Sequence, residues 1–439
     1  MPSHRTRATD ACPGALTTHA ADDGALARVR LPGGRVSESQ LAVLASCAEA
    51  LGDGALHVTS RANVQLRGVS DAGALAERLA AAGLLPSATH ERVRNVVASP
   101  ASGLVGGLVD VRPLVAALDT AISAQSALAA LPGRFWFGLD DGRGDVGGPF
   151  DDRVDVCWRA VSGDTGALLL AGEDTGVRVP LAEAVDVLVD VAAAFVRCRG
   201  DAWQVRELTG ARRAELLAAC GEGRFARGER SESVIHRGER SESVFHRTER
   251  SESVFHLGAV TQDDGRIAVH TGLRFGTATA AQVRLLAEIA GEAIITPWRS
   301  VLLPDVDPDD AADAIRRLDD AGLLVEPHDP AASITACIGS HGCGKALADV
   351  RADATNAMSE LTTIGGAPGV AAHFAGCTRR CGRPPTPAVD VLADGDGYLV
   401  DGDRVPAGEL ADVLAQKRAT SGTERGARPP AWEARKGRR

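Results

Sequence analysis

Arg78-Leu-Ala-Ala-Ala-Gly-Leu-Leu85 returns as Arg317-Leu-Asp-Asp-Ala-Gly-Leu-Leu324, and this repetition decides the architecture of the 439-residue chain. Working outward, Leu56-His-Val-Thr-Ser-Arg-Ala-Asn-Val-Gln-Leu-Arg-Gly-Val69 matches the run ending Ile294-Ile-Thr-Pro-Trp-Arg-Ser-Val-Leu-Leu-Pro-Asp-Val306. Thr59 falls on Thr296, Val64 on Val301, Leu66 on Leu303 and Val69 on Val306. Further upstream, Ser37-Glu-Ser-Gln40 and Thr279-Ala-Ala-Gln282 both read as capping boxes. Leu41, Leu44 and Ala48 follow the first at helical spacing, and Val283, Leu286 and Ile289 follow the second. Extended segments, 25–31 and 266–270, precede the boxes. Coincidence gives one such match; four in order mean duplication. Each unit reads strand, helix, strand, helix, so the class is α+β with pseudo-twofold symmetry.

The units occupy 20–85 and 258–325, and a larger segment follows each, 86–215 and 326–416. Both larger segments contain acidic, glycine-rich turns, Gly138-Leu-Asp-Asp-Gly-Arg-Gly-Asp145 and Ala393-Asp-Gly-Asp-Gly397. Asp140, Asp141 and Asp145 can be read as a metal site or as an exposed turn, and the exposed turn is the expectation. Between the halves, 216–257 holds a tandem decapeptide, Gly228-Glu-Arg-Ser-Glu-Ser-Val-Ile-His-Arg237 and two near copies ending at Leu257. A ten-residue period cannot build solenoid units, so a solvated linker is expected. The basic tail, 417–439, is expected to be disordered.

Four of the nine cysteines gather in two tight pairs, Cys337 with Cys343 and Cys377 with Cys381, all in the second half. Four thiolates are the ligand count of an iron–sulfur cluster or a structural zinc. Cys-x5-Cys is too wide for the usual zinc knuckle, and the flanking glycines let backbone amides approach sulfur. An iron–sulfur cluster is therefore the reading carried forward, with only one half bearing it and the other free to shape a pocket. The remaining cysteines (12, 47, 157, 198, 220) are scattered singly and do not resemble a secreted disulfide framework. With 44% hydrophobic residues, no apolar leader and no run of membrane-spanning length, a cytoplasmic enzyme is expected. The net charge of −10 argues against general nucleic-acid binding. Three lysines stand against 45 arginines, so any cationic site must be built from arginine. No glycine-rich nucleotide loop follows a strand, which leaves electrons to come from a separate reductase or ferredoxin.

Cys-x5-Cys followed by Gly376-Cys-x3-Cys-Gly-Arg-Pro384, on a chain duplicated around Thr59-x-Arg-x-Asn-x-Gln-Leu-Arg-Gly68, resembles the sulfite/nitrite reductase superfamily over 20–416, the repeat insert excepted. The resemblance implies two ferredoxin-like half-domains, with one [4Fe–4S] cluster on Cys337, Cys343, Cys377 and Cys381 in the C-terminal half. Within the superfamily, Leu131-Pro-Gly-Arg-Phe-Trp-Phe-Gly-Leu-Asp-Asp-Gly142 and Thr296-Pro-Trp-Arg-Ser-Val301 are most similar to the precorrin-3B synthases. For that family the tetrapyrrole is a substrate, precorrin-3A. It is hydroxylated with O2, and a γ-lactone forms, in aerobic cobalamin biosynthesis; a mononuclear non-haem iron joins the cluster as a cofactor the resemblance allows. Where the reductases carry a lysine pair, this chain has Arg134 and Trp136. Arginine stays protonated at any working pH and tryptophan does not ionise, so the site is built to hold anions rather than to feed protons.

Superfamily position selects Arg61, Asn63, Gln65 and Arg67, which strict alternation puts on one strand face, together with Arg94 and Arg134, as the carboxylate clamp. The alternative readings are a sirohaem-dependent sulfite or nitrite reductase, in which sirohaem would be bound, and a non-enzymatic iron–sulfur electron carrier or redox sensor.

Overall fold

The computed structural model describes residues 10, 12–147, 153–220, 256–327, 329–363, 371–384 and 388–423. The decapeptide expectation lies outside these residues, apart from His256 and Leu257. The helix Leu410–Thr423 continues past the point where the disordered tail was expected to begin. None of the described helices is long and apolar enough to cross a membrane.

Both capping boxes close. Ser37 Oγ accepts from Gln40 N–H at 3.2 Å, and Thr279 Oγ1 accepts from Gln282 N–H at the same distance. Each glutamine then ties its helix to the repeated phrase downstream: Gln40 donates to Ala82 O (3.2 Å) and Gln282 to Ala321 O (2.9 Å). The caps thus start the helices Glu38–Leu51 and Ala280–Ile289 and also fix where the second helix of each unit ends. Replacing either hydroxyl residue by alanine costs about 1 kcal/mol.

The two units exchange strands. One sheet runs in the order His19–Ala21, Gly24–Val29, Val64–Val69, Ala55–Val58 and then Thr277–Thr279, which belongs to the second unit. Its counterpart runs Gly258–Thr261, Ile267–Gly272, Ser300–Val306, Glu292–Ile295 and then Arg35–Ser37 from the first. The exchanged strands pair antiparallel, Thr277 opposite His57 and Ile294 opposite Arg35. An Arg35–Glu292 ion pair clips one of them in place. Gly34 makes the crossing possible: its φ is +74°, and a Cβ there would sit 1.9 Å from Ile295 O. The helices Glu38–Leu51 and Ala280–Ile289 pack against each other, and one apolar core draws on both units.

Each larger segment forms its own five-stranded sheet, and the two sheets share one design. In the first, Val96–Ala98, Phe137–Asp140 and Val156–Ala160 are parallel, while Thr165–Leu170 and Glu173–Pro180 add on antiparallel. In the second, Ile334–Ala336, Ala371–Ala375 and Ala388–Ala393 are parallel, and Tyr398–Val400 and Asp403–Val405 add on antiparallel. The duplication therefore covers these segments as well. Parallel strands send their following loops to one edge of the sheet, and that edge holds the cysteines.

Candidate active site

The strands Ile334–Ala336 and Ala371–Ala375 end side by side, which brings Cys337 next to the Gly376-Cys377 turn. Cys337 N–H donates to Phe374 O at 2.9 Å, and Gly376 N–H is aimed at Cys337 Sγ at 3.2 Å. A Cβ on Gly376 would lie 2.7 Å from Ala346 Cβ and 3.6 Å from Cys337 Sγ, so the close approach needs glycine. Burial raises the pKa of Cys381, and the fields of Cys337, Cys377 and Cys343 raise it further; the four sulfurs share one neighbourhood. Neighbouring thiols that oppose one another's ionisation suit a polynuclear cation, and amide donors to sulfur suit iron–sulfur ligation. His341, inside the first pair, has an 86% exposed side chain and φ of +72°.

The first half holds the cysteine loop in place. Asp22 Oδ2 accepts from Gly344 N–H at 2.6 Å. Arg67 binds Asp23 through both carboxylate oxygens (2.6 and 2.9 Å) and donates to Gly342 O at 2.6 Å. Two more guanidinium groups crowd this edge. Arg351 donates to Cys337 O (3.1 Å) and to Thr277 Oγ1 (3.0 Å), and burial lowers its pKa to about 10. Arg299, at φ +64°, donates to Gly382 O at 3.3 Å. His373 is fully buried, with Nδ1 on Thr335 Oγ1 at 2.9 Å; burial lowers its pKa to about 4, so it is neutral.

A second group of arginines gathers around two indole rings. Arg61 and Arg153 lie over the Trp136 ring, 4.8 and 5.3 Å from its centroid, and Arg134 lies over Trp203 at 5.0 Å. Arg28, opposite Gln65 in the antiparallel pair, joins them with Arg30 two residues on. Gln65 pairs with Arg28 when its amide oxygen faces that guanidinium. Burial lowers the pKa of Arg299, and the field of Arg153 lowers it further. Beneath Trp136, Asp155 accepts from Trp136 N–H (2.9 Å) and Val205 N–H (2.6 Å), and burial pushes its carboxyl up to about 8.

The sequence-selected residues separate on this map. Gln65 and Arg67 share a strand face, but Arg61 sits in the preceding turn, where Ala62 has φ +54°, so alternation does not extend to it. Arg61 and the half-exposed Arg134 join the arginine group around Trp136 and Trp203. Asn63 is buried, accepting from Leu31 N–H (2.9 Å) and donating to Asn95 Oδ1 (3.1 Å). Arg94 is 4% exposed and held by Asp119 through both oxygens (2.6 and 2.7 Å). Arg67 is likewise engaged, by Asp23 and the cysteine loop. Arg28, Arg30, Arg153, Arg299 and Arg351 escaped the sequence reading; the alternation Arg28-Val-Arg30 facing Gln65 was the available signal for the first two. The expected exposed turn at Asp140, Asp141 and Asp145 is overturned. Asp140 and Asp141 are fully buried, Asp140 caps the turn by accepting from Gly142, Gly144 and Val146 N–H, and Arg143 neutralises Asp141 at 2.6 Å.

Residues 19–82 and 260–321 each match the nitrite/sulfite reductase ferredoxin-like half domain. A ferredoxin–nitrite reductase of Synechococcus elongatus is 36% identical over 127 residues, 27% of this chain and only 25% of that enzyme's length. The chloroplastic ferredoxin–nitrite reductase of Zea mays is 28% identical over 88% of this chain and 74% of its own. A precorrin-3B synthase of a Sinorhizobium species is 24% identical over 88% of this chain and 81% of its own. The solved Mycobacterium tuberculosis NirA protein shares the fold with a TM-score of 0.70 at 19% identity, covering 94% of this chain and 83% of that one. The chain thus carries a strand-exchanged pair of nitrite/sulfite reductase ferredoxin-like half domains within the fold of the NirA protein.

Proposed function

We propose that this protein is a precorrin-3B synthase, an O2-dependent monooxygenase that hydroxylates precorrin-3A and closes a γ-lactone. One observation carries the reading: the part-exposed Arg28, Arg61 and Arg153 and the exposed Arg134 gather around Trp136 and Trp203, where we place the substrate cleft. Precorrins carry a ring of acetates and propionates, and arginine forks bind carboxylates bidentately. Trp136 is itself buried and serves as the platform under Arg61 and Arg153, with its indole N–H unpartnered among the described residues. A [4Fe–4S] cluster on Cys337, Cys343, Cys377 and Cys381 supplies electrons when bound. Arg67, with Asp22 and Asp23, holds the loop that carries Cys343. Arg351 and Arg299 place positive charge beside the thiolates. Electrons arrive from a separate ferredoxin or reductase. One oxygen atom enters the macrocycle and the other leaves as water, with two electrons and two protons drawn from donor and solvent.

The test is turnover. Wild-type protein, reductant, O2 and precorrin-3A yield a product heavier by one oxygen, and omitting O2 abolishes it. Efficient anaerobic reduction of nitrite or sulfite, with precorrin-3A unaltered in air, overturns the reading. It would favour a sirohaem-dependent reductase, the second reading, which the similarity to the maize nitrite reductase over 88% of this chain supports. Intense tetrapyrrole bands in the purified protein would mark that alternative.

A further inference from the structure

Cys12 takes no part in the cluster site, yet three guanidinium groups converge on its sulfur. Arg28 Nη1 lies at 3.1 Å, Arg30 Nη2 at 3.5 Å and Arg61 Nη1 at 3.6 Å. The segment is held rigidly. Glu91 accepts from Ala15, Leu16 and Thr17 N–H at 2.6, 2.7 and 3.0 Å, and Gly133 packs on Cys12, where a Cβ would sit 2.9 Å from Cys12 Cβ. Arg30 is the second observation. It is 2% exposed and donates from Nη2 to Pro13 O and Arg92 O, but its Nε and Nη1 have no hydrogen-bond partner among the described residues. A buried guanidinium aimed at the sulfur through Nη2 thus keeps N–H groups without an acceptor. The nearby carboxylates offset only part of the positive charge: Asp10 accepts from Cys12 N–H at 3.1 Å and lies 3.6 Å from Arg134, while Glu91 is committed to the backbone. A neutral thiol would leave these buried cations without a counter-charge at the sulfur. Burial opposes ionisation of Cys12, but Arg28, Arg30 and Arg61 together outweigh it and hold its pKa below the ordinary thiol value. Burial instead raises the pKa of Cys47, Cys157, Cys198 and Cys220.

We propose that Cys12 is a modification site, a thiolate that takes one oxygen from a hydroperoxide and is kept as a sulfenate by Arg28, Arg30 and Arg61. The sulfur attacks the terminal peroxide oxygen; an S–O bond forms as the O–O bond breaks, and sulfur gives up two electrons. The departing hydroxide or alkoxide takes the proton of the transferred hydroxyl, leaving sulfenate and water or an alcohol. The sulfenate oxygen then places its negative charge among the three guanidinium groups that face the sulfur. Cys12 is 7% exposed, so only a small oxidant reaches it. The site shares guanidinium groups with the proposed clamp, but its product is read from the protein's own mass, whichever tetrapyrrole reaction the protein performs.

The experiment treats the cluster-loaded full chain with hydrogen peroxide in the presence of dimedone, a trap for sulfenic acids, and maps the adducts by mass spectrometry. Cys12 should carry the dominant adduct, with Cys47, Cys157, Cys198 and Cys220 unlabelled. Its labelling rate should rise less steeply between about pH 7 and 8.5 than the roughly tenfold per pH unit of a thiol with its ordinary pKa. Arg28→Gln, on the half-buried side of the nest, should slow labelling about tenfold, and Arg30→Gln should slow it similarly. An unlabelled Cys12, a rate rising about tenfold per pH unit through this range, or Arg28→Gln labelling at the wild-type rate overturns the proposal.

Discussion

Ser99 and Cys337 occupy the same position in two sheets of identical order and direction. Ser99 N–H donates to Leu139 O at 3.0 Å, as Cys337 N–H does to Phe374 O at 2.9 Å. Ser99 Oγ accepts from Asp141 N–H at 3.1 Å, where Cys337 Sγ accepts from Gly376 N–H at 3.2 Å. Leu108 N–H meets Asp141 O at 2.7 Å, as Leu347 N–H meets Gly376 O at 2.8 Å. Ser99 also donates to Asp145 Oδ1 at 2.6 Å. The buried acidic loop is therefore the symmetry mate of the cysteine loop. Where the second half gathers thiols, the first gathers carboxylates around the resident cation Arg143. One half is closed by its own ion pairs, and the other keeps four sulfurs for an added group.

The cysteine loops should respond as a set. Replacing Cys337, Cys343, Cys377 or Cys381 by serine should strip or degrade the cluster, read as iron, acid-labile sulfide and visible absorbance. Cys47→Ser and Cys198→Ser, in apolar cores remote from the loops, should leave it intact. A full cluster in Cys377→Ser would sink the assignment.

Arg61 and Arg94 should part company. Arg61→Ala removes a cleft guanidinium and should weaken precorrin-3A binding by about one to two orders of magnitude, as loss of a charge-assisted hydrogen bond worth roughly 1.5–3 kcal/mol implies. Arg94→Ala strands Asp119 and should instead lower stability by about 3 kcal/mol, the lower end for a broken buried pair because Asp119 is partly exposed. Binding titrations and denaturant midpoints measure the two effects; equal binding loss in both variants would reject the separation.

Strand exchange predicts that neither half folds alone. A fragment ending at residue 220 lacks Thr277–Thr279, leaving the Ala55–Val58 edge open and Arg35–Ser37 without its sheet. Expressed singly, such a fragment should be insoluble or lack cooperative unfolding, and co-expression with 256–439 should restore soluble complex. Cooperative unfolding of the isolated fragment would contradict this.

His270 should make the fold acid-sensitive. Its Nδ1 bonds His256 O at 3.0 Å and its Nε2 bonds Ser300 Oγ at 2.7 Å, and burial lowers its pKa to about 4. The depressed pKa means that the folded state refuses a proton the unfolded state accepts. Its contribution is therefore complete above about pH 6.5 and is lost as pH falls from there to about 4, at up to about 1.4 kcal/mol per pH unit. His270→Gln should flatten the stability profile in that window; an unchanged slope would remove His270 as the cause.

Local signals carried the fold a long way. The repeated phrases, the two capping boxes and the cysteine spacing each rest on contacts within a few residues, and so they were legible as strings. What the string could not show was partnership across the chain. Gly34 looks like any turn glycine until Ile295 O is found against it, and only then does the exchange of strands appear. Arg67 and Arg94 look like free cations because a string does not reveal Asp23, Gly342 or Asp119 beside them. Asp140 and Asp141 look like surface acids because burial is decided by what packs over a loop, not by its composition. By itself the sequence determined the duplicated α+β units and which half bears the thiols. The tertiary structure decided which arginines are locked in two-pronged ion pairs, as Arg67 is by Asp23 and Arg94 by Asp119, because only folding brings a distant carboxylate to a guanidinium.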